Sequence, residues 1–228
     1  MPDAAIIQLP NGVFAENCYL VYDPAHADTV LVDPGEEPER FLAEARRLGR
    51  SISAVWITHA HIDHVCGTAE IRERTGAPVF LHPADRPLYD NTVHQGQLFG
   101  MRVLPPPPPD VELRHGQRLA VGGVEFEVRH VPGHSPGHVC FVGPGAVLGG
   151  DVLFEGSIGR TDLPGGDFDT LIAGIRRELL TLPDSTVVHP GHGPATTIGR
   201  ERRSNPFLKD LPPSVPPAPR HPVADPRA

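Results

Sequence analysis

The stretch "THAHIDH" places three histidines and an aspartate within six positions, His59 to His64, directly after the apolar, β-prone run "AVWI". In an extended segment residues i and i+2 point the same way, so His59 and His61 share a face. Where the chain turns into a helix, Asp63 and His64 can reach the same space from another side. Neutral imidazole and carboxylate are the donor types that hold zinc, iron or manganese. A lone histidine here would read as a surface or satisfied core residue, but His-x-His-x-Asp-His at a strand end points to metal binding.

Further donors follow apolar runs later in the chain. His134 stands in "VPGHSPGH" after "VEFEVRHV", Asp151 in "LGGDV" after "AVL", and His192 in "HPGHGP" after "TVV". Each sits in a glycine-rich turn that permits close approach of the backbone. A histidine in a Pro-Gly turn signifies little alone; the set in this order signifies a site.

These donors must be positioned by alternating elements. Short β-prone runs, "AIIQL", "CYLVY" and "TVLVD", open the chain. In "EEPERFLAEARRLG" the apolar residues Phe41, Leu42, Ala45 and Leu48 follow a helical period that Gly49 closes. "SAVWIT" reads as a buried strand, a helix is expected from about His64 to Gly76, and "APVFLH" as the next strand. From Asp90 to Asp110 the periodicity dissolves into five prolines, Pro105 to Pro109, which read as an extended connector. Strands resume at "VEFEVRHV", "HVCFVG" and "AVLGG", followed by a helix over about 168–180 and the strand "STVVHP". The order predicts two face-to-face sheets with helices outside, in one domain over residues 1–210. Residues 211–228, "LPPSVPPAPRHPVADPRA", form a proline-rich tail expected to be disordered.

His59, His61, Asp63, His64, His134, Asp151 and His192 together resemble the metal signature of the metallo-β-lactamase superfamily. The phrases "ENCYLV", "VDPG", "THAHIDHVCG", "PGHSPGHV", "GDVLFEGSIGRTDLPGGD" and "HPGHGPATTIGRERRSNPFL" most resemble its short bacterial glyoxalase II-like hydrolases. The resemblance implies an α/β (α+β) fold, a four-layer αββα sandwich with the site at the edge of two mixed sheets. It gives His59, His61 and His134 to one divalent cation and Asp63, His64 and His192 to a second, with Asp151 bridging. Zinc, or an iron–manganese mixture, fits such donors, and a single occupied site is also compatible. The implied reaction is hydrolysis of a hydroxyacyl thioester, such as an S-lactoyl thiol, by hydroxide formed from a water whose pKa falls to about 7 between two metals. Asp63 and Asp151 are the implied catalytic side chains. Thiolate is a good leaving group, so no strong general acid is required.

Other residues carry weaker expectations. Arg160 and Asp162 can orient a substrate carboxylate, support the ligands, or pair with each other. His138 is expected to donate to a carbonyl or support its turn. Cys66 and Cys140 are expected to be buried small apolar residues, and Tyr89, Asn91 and His94 to line the substrate mouth. The helical domain that supplies glutathione contacts in full-length glyoxalase II enzymes has no counterpart positions after His192, so glutathione is not implied as the thiol. Two alternatives share parts of the signature: a mononuclear iron persulfide dioxygenase using two histidines and an aspartate, and a lactonase-type hydrolase. The Pro-Gly-His-Gly run at 190–193 favours the hydrolases.

Composition narrows the partners. The net charge of −8 argues against nucleic acid and anionic membranes. The N-terminal "MPDAAIIQLPNG" lacks a basic segment and a long apolar run, and no stretch reaches the roughly 20 apolar residues of a spanning helix. Three scattered cysteines suggest no disulfide framework. A cytoplasmic enzyme acting on a small-molecule thioester is expected; the oligomeric state is not legible.

Overall fold

Strands buried on both faces must be apolar at consecutive positions, and this chain supplies them in two groups. The computed structural model describes residues 4–209. β1 (Ala5–Asn11), β2 (Glu16–Tyr22) and β3 (Asp28–Val32) form an antiparallel meander. Helix α1 (Pro38–Arg47) then crosses over to β4 (Ser51–Trp56), which pairs in parallel with β3. Two short helices, α2 (Ile62–Val65) and α3 (Thr68–Thr75), lead to β5 (Val79–Leu81), again parallel. Helices α4 (Arg86–Asp90) and α5 (Thr92–Leu98) and the proline run precede β6 (Val111–Glu112), which completes a sheet ordered β1-β2-β3-β4-β5-β6.

The second half repeats the scheme. β7 (Arg118–Val121), β8 (Val124–His130), β9 (Val139–Gly143) and β10 (Ala146–Gly150) are antiparallel neighbours. A small hairpin, β11 (Leu153–Phe154) and β12 (Ser157–Ile158), follows. Helix α6 (Phe168–Gly174) continues as a π-helical turn, Ile175–Leu179, and β13 (Val187–Pro190) returns parallel to β10. β14 (Thr196–Thr197) and α7 (Ile198–Ser204) close the described chain, giving the order β14-β13-β10-β9-β8-β7.

Alternation along the strands divides the core into three layers. Cys18, Leu20, Leu31 and Val55 pack with Phe41 and Leu42 of α1 and Ile71 of α3 on one outer face. Tyr19, Val21, Val30 and Trp56 meet Phe126, Val128 and Phe141 between the sheets. Cys140, Val147 and Val188 pack with Leu171 and Ile175 on the other outer face. Trp56 anchors the middle layer, its ring 4.9 Å from Phe141 and 5.7 Å from Phe126. The αββα sandwich is therefore the fold.

Two expectations are corrected. The segment from Asp90 to Asp110 is not wholly irregular, because α5 lies within it; "TVHQGQL", mostly polar with an internal glycine, carries no apolar stripe to announce a helix. The helix expected from His64 to Gly76 is two helices, separated at Cys66 and Gly67. The turn between them is tightly packed: a Cβ on Gly67 would stand 2.2 Å from the carbonyl oxygen of Gly35, in the turn after β3. The proline-rich segment 211–228 lies outside the described residues.

Gly67→Ala should force this turn away from α2 and α3, destabilising the protein by about 1–3 kcal/mol. A lowered midpoint in urea unfolding is the expected measurement.

Candidate metal centre

All the histidine and aspartate donors singled out by spacing lie just beyond strand ends or on the adjoining helix. His59 and His61 follow β4 while the chain is still extended, and Asp63 and His64 lie on α2. His134 follows β8, Asp151 follows β10 and His192 follows β13. Single donor atoms of His59, His61 and His134 lie within 4.8 Å of one another, and so do those of Asp63, His64 and His192. Asp151 stands between the groups: its Oδ2 is 3.7 Å from His134 Nε2 and 3.5 Å from His192 Nε2, and its Oδ1 is 3.4 Å from His64 Nε2. Close approach is possible because residue 191 is glycine; a Cβ there would meet Asp151 Oδ1 at 2.1 Å.

Hydrogen bonds on the far side of each ring determine which nitrogen faces the centre. His134 Nδ1 donates to the Arg160 carbonyl at 2.8 Å, and His192 Nδ1 to the Phe14 carbonyl at 3.1 Å. His64 Nδ1 donates to Asp33 Oδ2 at 3.1 Å. Thr58 Oγ1 donates to Asp33 Oδ2 at 2.6 Å and so accepts from His59 Nδ1 at 3.1 Å. These four rings therefore engage Nδ1 behind and turn Nε2 inward. His61 is the exception, presenting Nδ1, 2.8 Å from His134 Nε2.

The electrostatics suit a cation. Burial, followed by neighbouring imidazoles, holds His59 well below the ordinary histidine range and His61 down at about 3. Both are neutral and free to donate a lone pair. Burial opposes charge on His64, but Asp63 and Asp151 outweigh it and raise its pKa well above normal. The carboxylates thus demand positive charge among largely buried groups. His64 Nε2 and Asp151 Oδ1 are both buried without a hydrogen-bond partner. Convergent imidazole lone pairs beside two unpartnered polar atoms fit a divalent metal cofactor.

Several supporting residues carried no sequence signal strong enough to single them out. Asp33, the aspartate of "VDPG", takes Thr58 N–H at 2.7 Å as well as the Thr58 hydroxyl and His64, and sits at φ 53°, strained for a residue with a Cβ. With His59 and His64 it makes a third overlapping donor group. Asp85 is fully buried and ties the two donor loops together. Its Oδ2 accepts from Ala60 N–H at 2.9 Å and Ser135 Oγ at 2.7 Å, and its Oδ1 from Gly137 N–H at 2.5 Å. His138, expected to donate to a carbonyl or support its turn, does not donate through Nε2; that atom accepts from Asp151 N–H at 3.0 Å and so supports a donor loop.

A cavity of about 430 Å³ opens above the donors. Tyr89, Asn91 and His94 were expected at its mouth, but Tyr89 is fully buried and neither Asn91 nor His94 reaches it. The neighbouring Gln95 and Phe99 line it instead, together with Phe14 and Phe154. Arg160 also lines the cavity, with Nε and Nη2 on Asp162 at 2.7 and 2.8 Å in an exposed pair. Cys140 is buried as expected, whereas Cys66 is partly exposed.

Two sheets meeting over a histidine–aspartate cluster define a recognisable class. The model of the metallo-β-lactamase superfamily matches residues 11–192, and the chain belongs to that superfamily. Fold, family and donor set together make it a metallo-hydrolase. It is 38% identical to the hydroxyacylglutathione hydrolase GloC of Haemophilus influenzae over 88% of this chain and 96% of that protein. It is also similar to TTHA1623, crystallised in a di-iron-bound form, at 47% identity and TM-score 0.82 over 89% of this chain and 100% of the other. ETHE1 from Myxococcus xanthus is 31% identical with TM-score 0.75, over 89% of this chain and 83% of the other. Among the described residues no helix is long and apolar enough to cross a membrane.

Asp85→Asn should turn an amide N–H toward donors that need acceptors, costing about 1–3 kcal/mol. Urea unfolding should show that loss, and elemental analysis should show weakened metal retention as the His59 and His134 loops separate.

Proposed function

We propose that this chain is a dinuclear metal-dependent thioester hydrolase. His59, His61 and His134 would hold one divalent cation and Asp63, His64 and His192 the other, with Asp151 shared between them. The observation that carries this assignment is the position of Asp151, whose two oxygens reach donors of both groups. The likeness to GloC and to a di-iron protein supports it.

When bound, such a pair supplies Lewis acidity, acidifying a water and balancing charge that develops on a carbonyl oxygen. The chain's own part is positional. Asp63 Oδ2, 3.1 Å from His192 Nε2, faces the cavity and is placed to accept a hydrogen bond from the attacking water, fixing its direction. The outer hydrogen bonds to Arg160, Phe14, Asp33 and Thr58 keep the imidazoles from turning during the reaction. Arg160 enters chiefly through its main chain, since its carbonyl aims His134. The largely apolar walls are placed to hold the acyl group above the donors.

The two groups are unequal. The first is all imidazole, whereas the second includes Asp63, a harder and charged ligand that favours iron or manganese relative to zinc. A small-molecule thioester is the proposed substrate and the cytoplasm the proposed location. The likeness to GloC favours hydrolysis over the one-iron dioxygenase alternative.

Metal-replete protein should hydrolyse an S-lactoyl thioester, and Asp151→Ala should abolish turnover and nearly all bound metal. His192→Ala should retain close to one equivalent by elemental analysis. Unchanged metal content in His192→Ala would replace the dinuclear assignment with a single site, and oxygen consumption with a persulfide would then identify the dioxygenase. Absence of turnover on every thioester, above the Asp151→Ala rate, would remove the hydrolase reading.

A further inference from the structure

The walls above the donors are far less polar than the floor. Phe14, Ile62, Phe99, Phe154, Ile158 and Leu163 form most of the cavity's sides. The polar groups among them are largely engaged. Gln95 Nε2 donates to the Ala60 carbonyl at 3.0 Å and the Leu88 carbonyl at 2.8 Å. The Arg160 guanidinium is matched by the Asp162 carboxylate, so the pair brings no net positive charge to the wall. Phe14 and Phe99 meet edge to face, 5.1 Å between centroids, at the boundary of the cavity.

The apolar surface continues outward. A second hollow, of about 440 Å³, shares Phe99 with the first and is lined by Val13, Met101 and Leu104, with Glu36, Glu70 and Arg102. Its carboxylates are engaged: Glu70 is met by Arg74 at 3.6 Å, and Glu36 accepts the Val13 N–H at 2.7 Å. Exposed large apolar side chains line it: Val13 is 80% exposed, Phe99 58% and Leu104 56%. Single exposed apolar residues are ordinary, but three around one hollow that adjoins a reactive cavity mark a binding surface.

Resting on the thioester-hydrolase reading, we propose that the thiol carried by the substrate is uncharged and apolar. It would lie across Phe99 into the outer hollow, and Phe99 would be the residue that selects it. The acyl carbonyl sits over the donors, and the sulfur points toward the Phe14–Phe99 boundary. A carrier bearing carboxylates, as glutathione does, would have to bring them against the aromatic and aliphatic side chains of the inner wall, where the Arg160 guanidinium is already matched by Asp162. Burying one ring-sized apolar group against such a wall accounts for at least about tenfold in kcat/KM.

The test holds the acyl group constant. S-lactoyl esters of 2-phenylethanethiol, N-acetylcysteamine and glutathione are compared on metal-replete protein. The phenylethyl ester should have the highest kcat/KM, exceeding the glutathione ester by at least about tenfold. Phe99→Ala, at an exposed position that leaves the fold intact, should cut the phenylethyl-to-glutathione ratio by about the same factor. Calorimetry with the corresponding non-hydrolysable thioethers should give the same order of Kd without turnover. A glutathione ester equal to or better than the phenylethyl ester overturns this inference and leaves the hydrolase reading standing. So does a Phe99→Ala variant that slows all three esters equally. Failure to turn over any of the three removes both together.

Discussion

Imidazole lone pairs that face one another at hydrogen-bond distance need something positive between them. His61 Nδ1 and His134 Nε2 stand 2.8 Å apart, and His134 Nε2 and His59 Nε2 3.1 Å apart. Burial strongly disfavours a proton on His59 and His61, so these rings are suited to a cation with more than one coordination position. Much of the surrounding architecture serves to hold them in this arrangement. The Asp33 carboxylate, kept at a strained φ of 53°, restrains Thr58 and His64 and through Thr58 also His59. Asp85 restrains the loop of His61 and the loop of His134 at once. Two buried carboxyl groups thus fix the orientation of donors drawn from both sheets.

This dependence explains why so much of the site could be read from the chain and some of it could not. His59, His61, Asp63 and His64 crowd a single turn after a strand, and His134, Asp151 and His192 each follow an apolar run, so residue type and position agree. Asp33 also ends a strand, but a lone aspartate before Pro-Gly has the look of an ordinary turn residue. Asp85 lies between short helices with no donor beside it in sequence, and its importance exists only after folding brings Ala60, Ser135 and Gly137 around it. His138 was visible but its direction was not, because whether an imidazole accepts or donates depends on what lies opposite. Here that partner is the Asp151 amide.

The layers were legible for a related reason. Runs such as those in β2, β4 and β10 are apolar on successive positions, which requires cover on both faces and therefore two helical layers. The same criterion fails for α5, whose helix packs too few apolar residues to show a period. It also fails for the mouth: exposed Phe99 near the end of that helix resembles any stray surface residue until the fold sets it against Phe14.

Floor and walls consequently obey different constraints. On the floor His59, His64, His134 and His192 are each held by a hydrogen bond behind the ring as well as by the element that carries it, and a small displacement disturbs several others. On the walls Phe99, Val13 and Leu104 are exposed and lack such restraints, so their replacement leaves the donors in place. A fold of this kind can keep one hydrolytic chemistry while its rim sets which substrates reach it. In this chain the rim is largely aromatic and aliphatic, and the charge needed for chemistry lies at the bottom of the cavity. Separating the two keeps an apolar substrate arm from having to strip water off a charged wall before its carbonyl reaches the donors.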